Sequence, residues 1–115
     1  MLKSNSKKNT VELLREEIEN WISQDNCGNG AWDMFVMTTL PKMCKDYDTV
    51  IKYFNEISKE HFDYISDVFD ELVYHYQNPM FIEKIENLYY KFYGDDKDTE
   101  LYKENIANLC NCLKK

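Results

Sequence analysis

Two amphipathic patterns on either side of an Asn-Pro step constrain this chain more than any other feature. Between Ser58 and Gln77, apolar side chains recur at the three- and four-residue steps that line one side of an α-helix. This stripe consists of Phe62, Ile65, Phe69, Leu72 and Tyr76. Pro79 cannot continue the first helix, Asn78 can cap a second one, and Gly94 can end it. The sequence therefore predicts a helical hairpin from Ser58 to Gly94.

Four further segments have helical periodicity, and only five residues are Gly or Pro, so we expect long elements with few turns. The first is a helix capped by Thr10 and ending near Gln24, and the second, from Ala31 to Leu40, is expected to be the most buried helix and to be ended or kinked by Pro41. The third is a short helix that holds Val50 to Ile57 and is capped by Asp46 or Asp48, and the last is capped by Asp98 or Thr99. Ser58 can cap the first helix of the hairpin. No segment alternates apolar and polar residues with period two, so a sheet has no support in the sequence. A strand is an alternative for Ala31 to Leu40 alone. We predict an all-α fold, a compact bundle of about six antiparallel helices, with stacked HEAT-like hairpins as the alternative.

The length of 115 residues is that of one domain. We predict a flexible leader over residues 1–9 and a single helical domain over 10–113. The leader is polar, and nothing approaches the roughly 20 apolar residues of a membrane span. These features predict a cytoplasmic protein that does not bind a membrane.

The net charge is −7, and it is distributed unevenly. From Asp46 to Glu100 there are fourteen acidic and five basic residues, a local net charge of −9. Such a field repels phosphate backbones and anionic lipids, and it attracts basic proteins. We therefore expect no direct binding to nucleic acid and expect a basic protein as partner, although acidity also serves solubility alone.

The residues that could support catalysis or bind a metal do not form a recognised pattern. The four cysteines contain no CxxC pair, and the acidic turn after Gly94 lacks the spacing of a calcium loop. His61 and His75 are interpreted as boundary residues with one nitrogen in water. An enzyme built on His75 and Glu71, or on a cysteine meeting a histidine in space, is the alternative. The sequence predicts no catalytic residue, no metal and no cofactor.

Acidic residues line the side of the predicted Ser58–Gln77 helix opposite its apolar stripe. They are Glu60, Asp63, Asp67 and Asp70, which we call the acidic ridge. Tyr74 falls in line with them, and Tyr90 points outward on the following helix. Exposed aromatic rings surrounded by charge are typical of protein interfaces, whereas the alternative is a solvated helix face. We predict partner binding through these six residues.

A small, acidic, all-helical chain rich in Tyr and Asn, with the run from Asp46 to Tyr93 described above, resembles the helical immunity proteins of bacterial toxin systems, especially those of contact-dependent inhibition. The resemblance implies a stoichiometric inhibitor that neutralises a toxin domain, expected to be a nuclease, by covering its basic active site. It carries over no individual functional residue. An acidic helical adaptor, or a phage-type nucleic-acid mimic that inhibits another target, is the alternative.

Overall fold

The computed structural model describes residues 9–94 and 99–113. Within these ranges the structure is helical and contains no strand, so the predicted all-α class with about six helices is confirmed. Six helical stretches follow one another, over residues 10–26, 32–45, 47–54, 59–76, 79–93 and 99–110. The chain divides into two compact units, Met1–Tyr64 and Ile65–Lys115. Of the predicted leader, only residue 9 lies within the described residues.

The first unit contains five α-helices and one π-helical segment. They are α1 (Thr10–Asn26), α2 (Trp32–Met34), the π-helical segment Phe35–Thr39, α3 (Leu40–Lys45), α4 (Tyr47–Phe54) and α5 (Lys59–Ile65), whose last residue belongs to the second unit. Asn9, not Thr10, caps α1, because the Asn9 side chain accepts the Glu12 N–H while the Glu12 side chain accepts the Asn9 N–H. Asp46 caps α4 and Ser58 caps α5, as their positions predicted.

The segment from Ala31 to Leu40 is only partly buried. Ala31, Phe35, Thr39 and Leu40 are buried, whereas Met34 and Met37 are 47% and 70% exposed. Pro41 does not end the helical path, because it lies in the first turn of α3, where a missing N–H is tolerated. The change to π-helical hydrogen bonding occurs just before it, over Phe35–Thr39.

The core of the first unit forms where α1 packs against α4 and against the π-helical segment. Ile18, Phe35, Val50 and Phe54 are fully buried there. An aromatic cluster adds to this core, because the ring of Trp32 lies 5.0 Å from that of Phe35 and 5.1 Å from that of Tyr64 (centroid to centroid). Apolar burial of this kind is the main stabilising contribution in a small domain.

The second unit contains a 3-10 segment, Ser66–Val68, followed by α6 (Phe69–Tyr76), α7 (Pro79–Tyr93) and α8 (Thr99–Cys110). The predicted helix from Ser58 to Gln77 is present as the helical stretch 59–76, but the 3-10 segment interrupts its α-helical hydrogen bonding. The predicted turn is confirmed: Asn78 accepts the Met80 N–H at 3.0 Å, and Gly94 ends α7 with a φ of 52°. The acidic turn and the Asp98 cap lie outside the described residues.

Helices α6, α7 and α8 pack against one another in pairs. The predicted apolar stripe is confirmed at Phe69 and Leu72, which are buried here, and at Phe62 and Ile65 earlier in the chain; Tyr76 is half-buried. In the described part of the chain, no helix is both long enough and apolar enough to span a bilayer.

Candidate functional site

Glu60 and Asp63, the first two residues of the acidic ridge, lie on α5 in the first unit. Both side chains are exposed. Asp63 forms an ion pair with Lys59, with 3.2 Å between Oδ2 and Nζ. An exposed pair of this kind neutralises part of the local negative charge of α5.

Asp67 and Asp70 lie in the second unit, Asp67 in the 3-10 segment and Asp70 in the first turn of α6. Both are exposed, and Asp70 Oδ1 accepts the Glu71 N–H at 2.9 Å. Among the described residues, neither has an ion-pair partner. The four ridge residues line up only if each residue turns the chain by about 100° around one continuous α-helix. That alignment does not extend across the 3-10 segment Ser66–Val68. The ridge as one continuous line therefore stays a prediction.

Asp67 and Asp70 line a cleft of about 260 Å³ in the second unit, which we call the Asp67 cleft. Its other lining residues are Ser66, Phe69, Tyr89, Asn105, Asn108 and Leu109. The cleft thus combines two carboxylates with two carboxamides and two hydroxyl groups over an apolar base. None of the described residues that line it is basic, and Asp67 and Asp70 give this lining a formal charge of −2.

Four further polar residues complete the cleft and are not among the residues predicted from the sequence: Ser66, Tyr89, Asn105 and Asn108. Tyr89 lies on α7 and is half-buried. Asn105 and Asn108 are exposed and three residues apart on α8, the same spacing as Asp67 and Asp70. Residues three apart lie on one side of a helix, but this spacing alone does not indicate that α8 meets Asp67 and Asp70.

Tyr74 and Tyr90 are both exposed, as predicted, with 52% and 63% of their surface accessible. They lie on α6 and α7 of the second unit, and neither lines the Asp67 cleft. The ring of Tyr74 meets the imidazole of His75 edge to face, with 5.5 Å between centroids. The structure therefore places four of the six predicted binding residues in the second unit and joins two of them, Asp67 and Asp70, in one cleft.

The prediction that His61 is a boundary residue is wrong. Only 5% of the residue is exposed, and its Nδ1 lies 2.7 Å from the hydroxyl of Tyr53, with which it shares a hydrogen bond. Its Nε2 lies 3.7 Å from a carboxylate oxygen of Glu19. Burial lowers the pKa of His61 below its usual value, although Glu19 and Glu60 act in the opposite direction. Burial likewise raises the pKa of Tyr53, so its hydroxyl stays protonated.

His75 is exposed, and its Nε2 lies 3.5 Å from a carboxylate oxygen of Glu71 one helical turn earlier. In the described residues no group of three or more His, Cys, Asp and Glu side chains is arranged to hold a metal ion. No disulfide joins the cysteines in the same residues, and Cys27 and Cys110 are exposed.

Comparison of the chain with protein-family models, with curated proteins and with solved structures finds no match.

Proposed function

We propose that this chain is a protein-binding inhibitor, an immunity protein that neutralises a cognate toxin, in the first instance a nuclease, in the cytoplasm. The Asp67 cleft is the observation that carries the proposal. It exposes two carboxylates for which its described lining supplies no basic partner. A nuclease binds phosphate with basic side chains, so its active site is complementary to such a cleft.

The exposed rings of Tyr74 and Tyr90 support the same proposal. Tyrosine is enriched among the residues that dominate binding energy, because a rigid ring buries a large area at a small entropic cost. In the proposed complex these two rings provide apolar contact area, and Asp67 and Asp70 orient the basic partner. Glu60 and Asp63 act at longer range by accelerating encounter.

The test begins with the full-length chain, tagged and used to capture its partner from the source organism. The captured protein is identified, purified and assayed for nuclease activity at increasing ratios of inhibitor. The proposal expects complete inhibition at a stoichiometric ratio. A partner without toxin activity, or one whose activity the chain leaves intact, contradicts the immunity function.

Charge reversal then tests the site. Asp67→Lys combined with Asp70→Lys should weaken binding by roughly 30-fold, because an interfacial charge pair is worth about 2 kcal/mol or more. The matched control is Glu83→Lys combined with Glu86→Lys, which changes the net charge equally on exposed residues of α7 that do not line the cleft. Equal losses for both variants would mean that binding depends on net charge and not on the cleft.

A further inference from the structure

The first unit contains an apolar groove that involves none of the residues considered so far for binding. It lies among α1, α3 and α4, and its volume is about 350 Å³. Leu14, Met43 and Val50 form a buried apolar floor, and Leu13 stands at its edge with 51% of its surface exposed. We call it the Leu13 groove. Sites for small molecules are concave, largely apolar and about 300–1,000 Å³ in volume, so this groove has the size of a small ligand site.

Two polar bridges connect α1 to its neighbouring helices beside the groove, at positions two turns apart on α1. At one, the hydroxyl oxygens of Thr10 and Thr49 lie 3.0 Å apart and share a hydrogen bond between α1 and α4. At the other, Lys42 Nζ lies 3.1 Å and 3.0 Å from the two carboxylate oxygens of Glu17, which joins α3 to α1. Seven residues of α-helix separate Thr10 from Glu17, a distance of about 10 Å. The groove between them has the length of an apolar group made of a phenyl ring and a short alkyl chain.

The charges in the groove determine which ligand fits it. Glu17 already compensates Lys42, and Glu17 also accepts the hydroxyl hydrogen of Thr39. Asp46 provides the remaining charge, and the side-chain contact described for it is with the Thr49 N–H at 3.2 Å. The lining therefore has a net charge of −1, located at Asp46.

We infer that the Leu13 groove binds a small organic cation, an arylalkyl- or alkylammonium compound. Its apolar body packs on Leu14, Met43 and Val50, and its ammonium group pairs with Asp46. An anionic ligand fits less well, because it must displace Glu17 from Lys42 and approach Asp46. A neutral ligand loses the ion pair but retains the apolar contact.

Three probes that share one apolar body test this charge selectivity: 4-phenylbutylammonium, 4-phenylbutan-1-ol and 4-phenylbutanoate. Each is titrated into the ¹⁵N-labelled full-length chain while amide resonances are followed. The ammonium compound should cause saturable shifts at Leu13, Leu14, Thr49 and Val50. The alcohol should bind about threefold to fivefold more weakly, since a solvent-exposed ion pair contributes at most about 1 kcal/mol. The carboxylate should bind most weakly of the three.

Asp46→Asn removes the charge while keeping a side-chain oxygen that caps α4. It should abolish the difference between the ammonium compound and the alcohol. The matched control is Asp48→Asn, the same change at an exposed residue of α4 that does not line the groove, and it should leave the difference intact. Absence of saturable shifts with the ammonium compound, equal binding of all three probes, or tightest binding of the carboxylate would each overturn the inference.

Discussion

The two units hold their helices together in different ways. In the first unit, polar side chains form bridges between helices: Trp21 to Thr39, Thr39 to Glu17, Glu17 to Lys42, Arg15 to Glu56, Tyr53 to His61, and Tyr64 to Asp25. In the second unit, α6, α7 and α8 pack through buried apolar residues such as Phe69, Leu72, Phe81 and Ile85. Both units have an apolar core. In the first unit the polar bridges add to that core, and in the second unit Gln77 donates to the Cys112 carbonyl.

This difference bears on where binding residues can be tolerated. Where a bridge is buried, as between Tyr53 and His61, changing one side chain leaves its partner without a hydrogen bond, which destabilises the fold. The second unit builds its stability in the core between its helices, so its outer face is less constrained. Its exposed residues include Asp67, Asp70, Tyr74 and Tyr90, the residues of the proposed interface in this unit.

The largest expected effect tests the apolar core of the second unit. Phe81 is fully buried, and its ring meets that of Tyr76 edge to face with 4.9 Å between centroids. Phe81→Ala should lower the free energy of unfolding by about 3–5 kcal/mol, because it removes apolar contacts and leaves a cavity. Urea unfolding followed by circular dichroism measures the change. The control is the neighbouring Met80→Ala, 66% exposed before substitution, which should cost less than about 0.5 kcal/mol. Similar losses for both variants would contradict a core that depends on apolar volume.

The next effect tests the polar bridges of the first unit. Thr39 is fully buried, accepts the Trp21 Nε1–H at 2.7 Å and donates to Glu17. Thr39→Val keeps the shape but removes both hydrogen bonds, so it should cost about 1–3 kcal/mol. The same urea experiment measures it, with Trp fluorescence as a second signal. Thr38→Val is the control, because Thr38 is exposed and bonds only within its own helical turn, to the Met34 carbonyl. If both variants lose equally little, the bridge contributes nothing to stability.

Local patterns account for the parts of this fold that were predicted correctly from the sequence. Caps at Asp46, Ser58 and Asn78 depend on residues no more than three positions away, and the apolar stripe depends on spacing along one helix. The 3-10 segment Ser66–Val68 was missed because no Gly or Pro marks it. The exposure of Met34 and Met37 was missed because a helix that is apolar on several sides does not reveal which side faces its neighbours.

The candidate site was predicted only in part, for a related reason. The exposure of Asp67, Asp70, Tyr74 and Tyr90 follows from helical periodicity, and the structure agrees. The Asp67 cleft itself depends on how α8 packs, which brings Asn105 and Asn108 beside the two carboxylates. The burial of His61 likewise depends on Tyr53, a residue of another helix. Pairings between helices leave no periodic signal in the sequence.

A third, smaller effect is the dependence of stability on pH, which should arise in the first unit through His61. The groups that face or influence its imidazole are Tyr53, Glu19, Arg15 and Glu60. Its pKa in the folded chain is lowered by burial from the ordinary value of 6.5, so below pH 6.5 the unfolded chain binds more protons than the folded one. Stability from this group is therefore fully present above pH 6.5 and is lost as the pH falls below it. The slope should be at most about 1.4 kcal/mol per pH unit.

Urea unfolding between pH 7.5 and 5.5, together with the imidazole resonances of both histidines, measures this dependence. His61→Gln should flatten the pH profile, because it removes the group whose pKa is lowered by burial. An imidazole pKa of His61 above 6.5 would contradict the expected direction.

The smallest effect on stability is expected for Tyr90, and its substitution separates a role in folding from a role in binding. The ring is 63% exposed, so Tyr90→Ala should change the free energy of unfolding by less than about 0.5 kcal/mol. If the ring belongs to the proposed interface, the same variant should weaken binding of the identified partner by more than about fivefold, the loss of 1 kcal/mol that marks an energetically important contact. A large loss of stability would mean that Tyr90 supports folding. If neither stability nor affinity changes, Tyr90 is not part of the interface. If affinity alone falls, Tyr90 contributes to binding and not to folding.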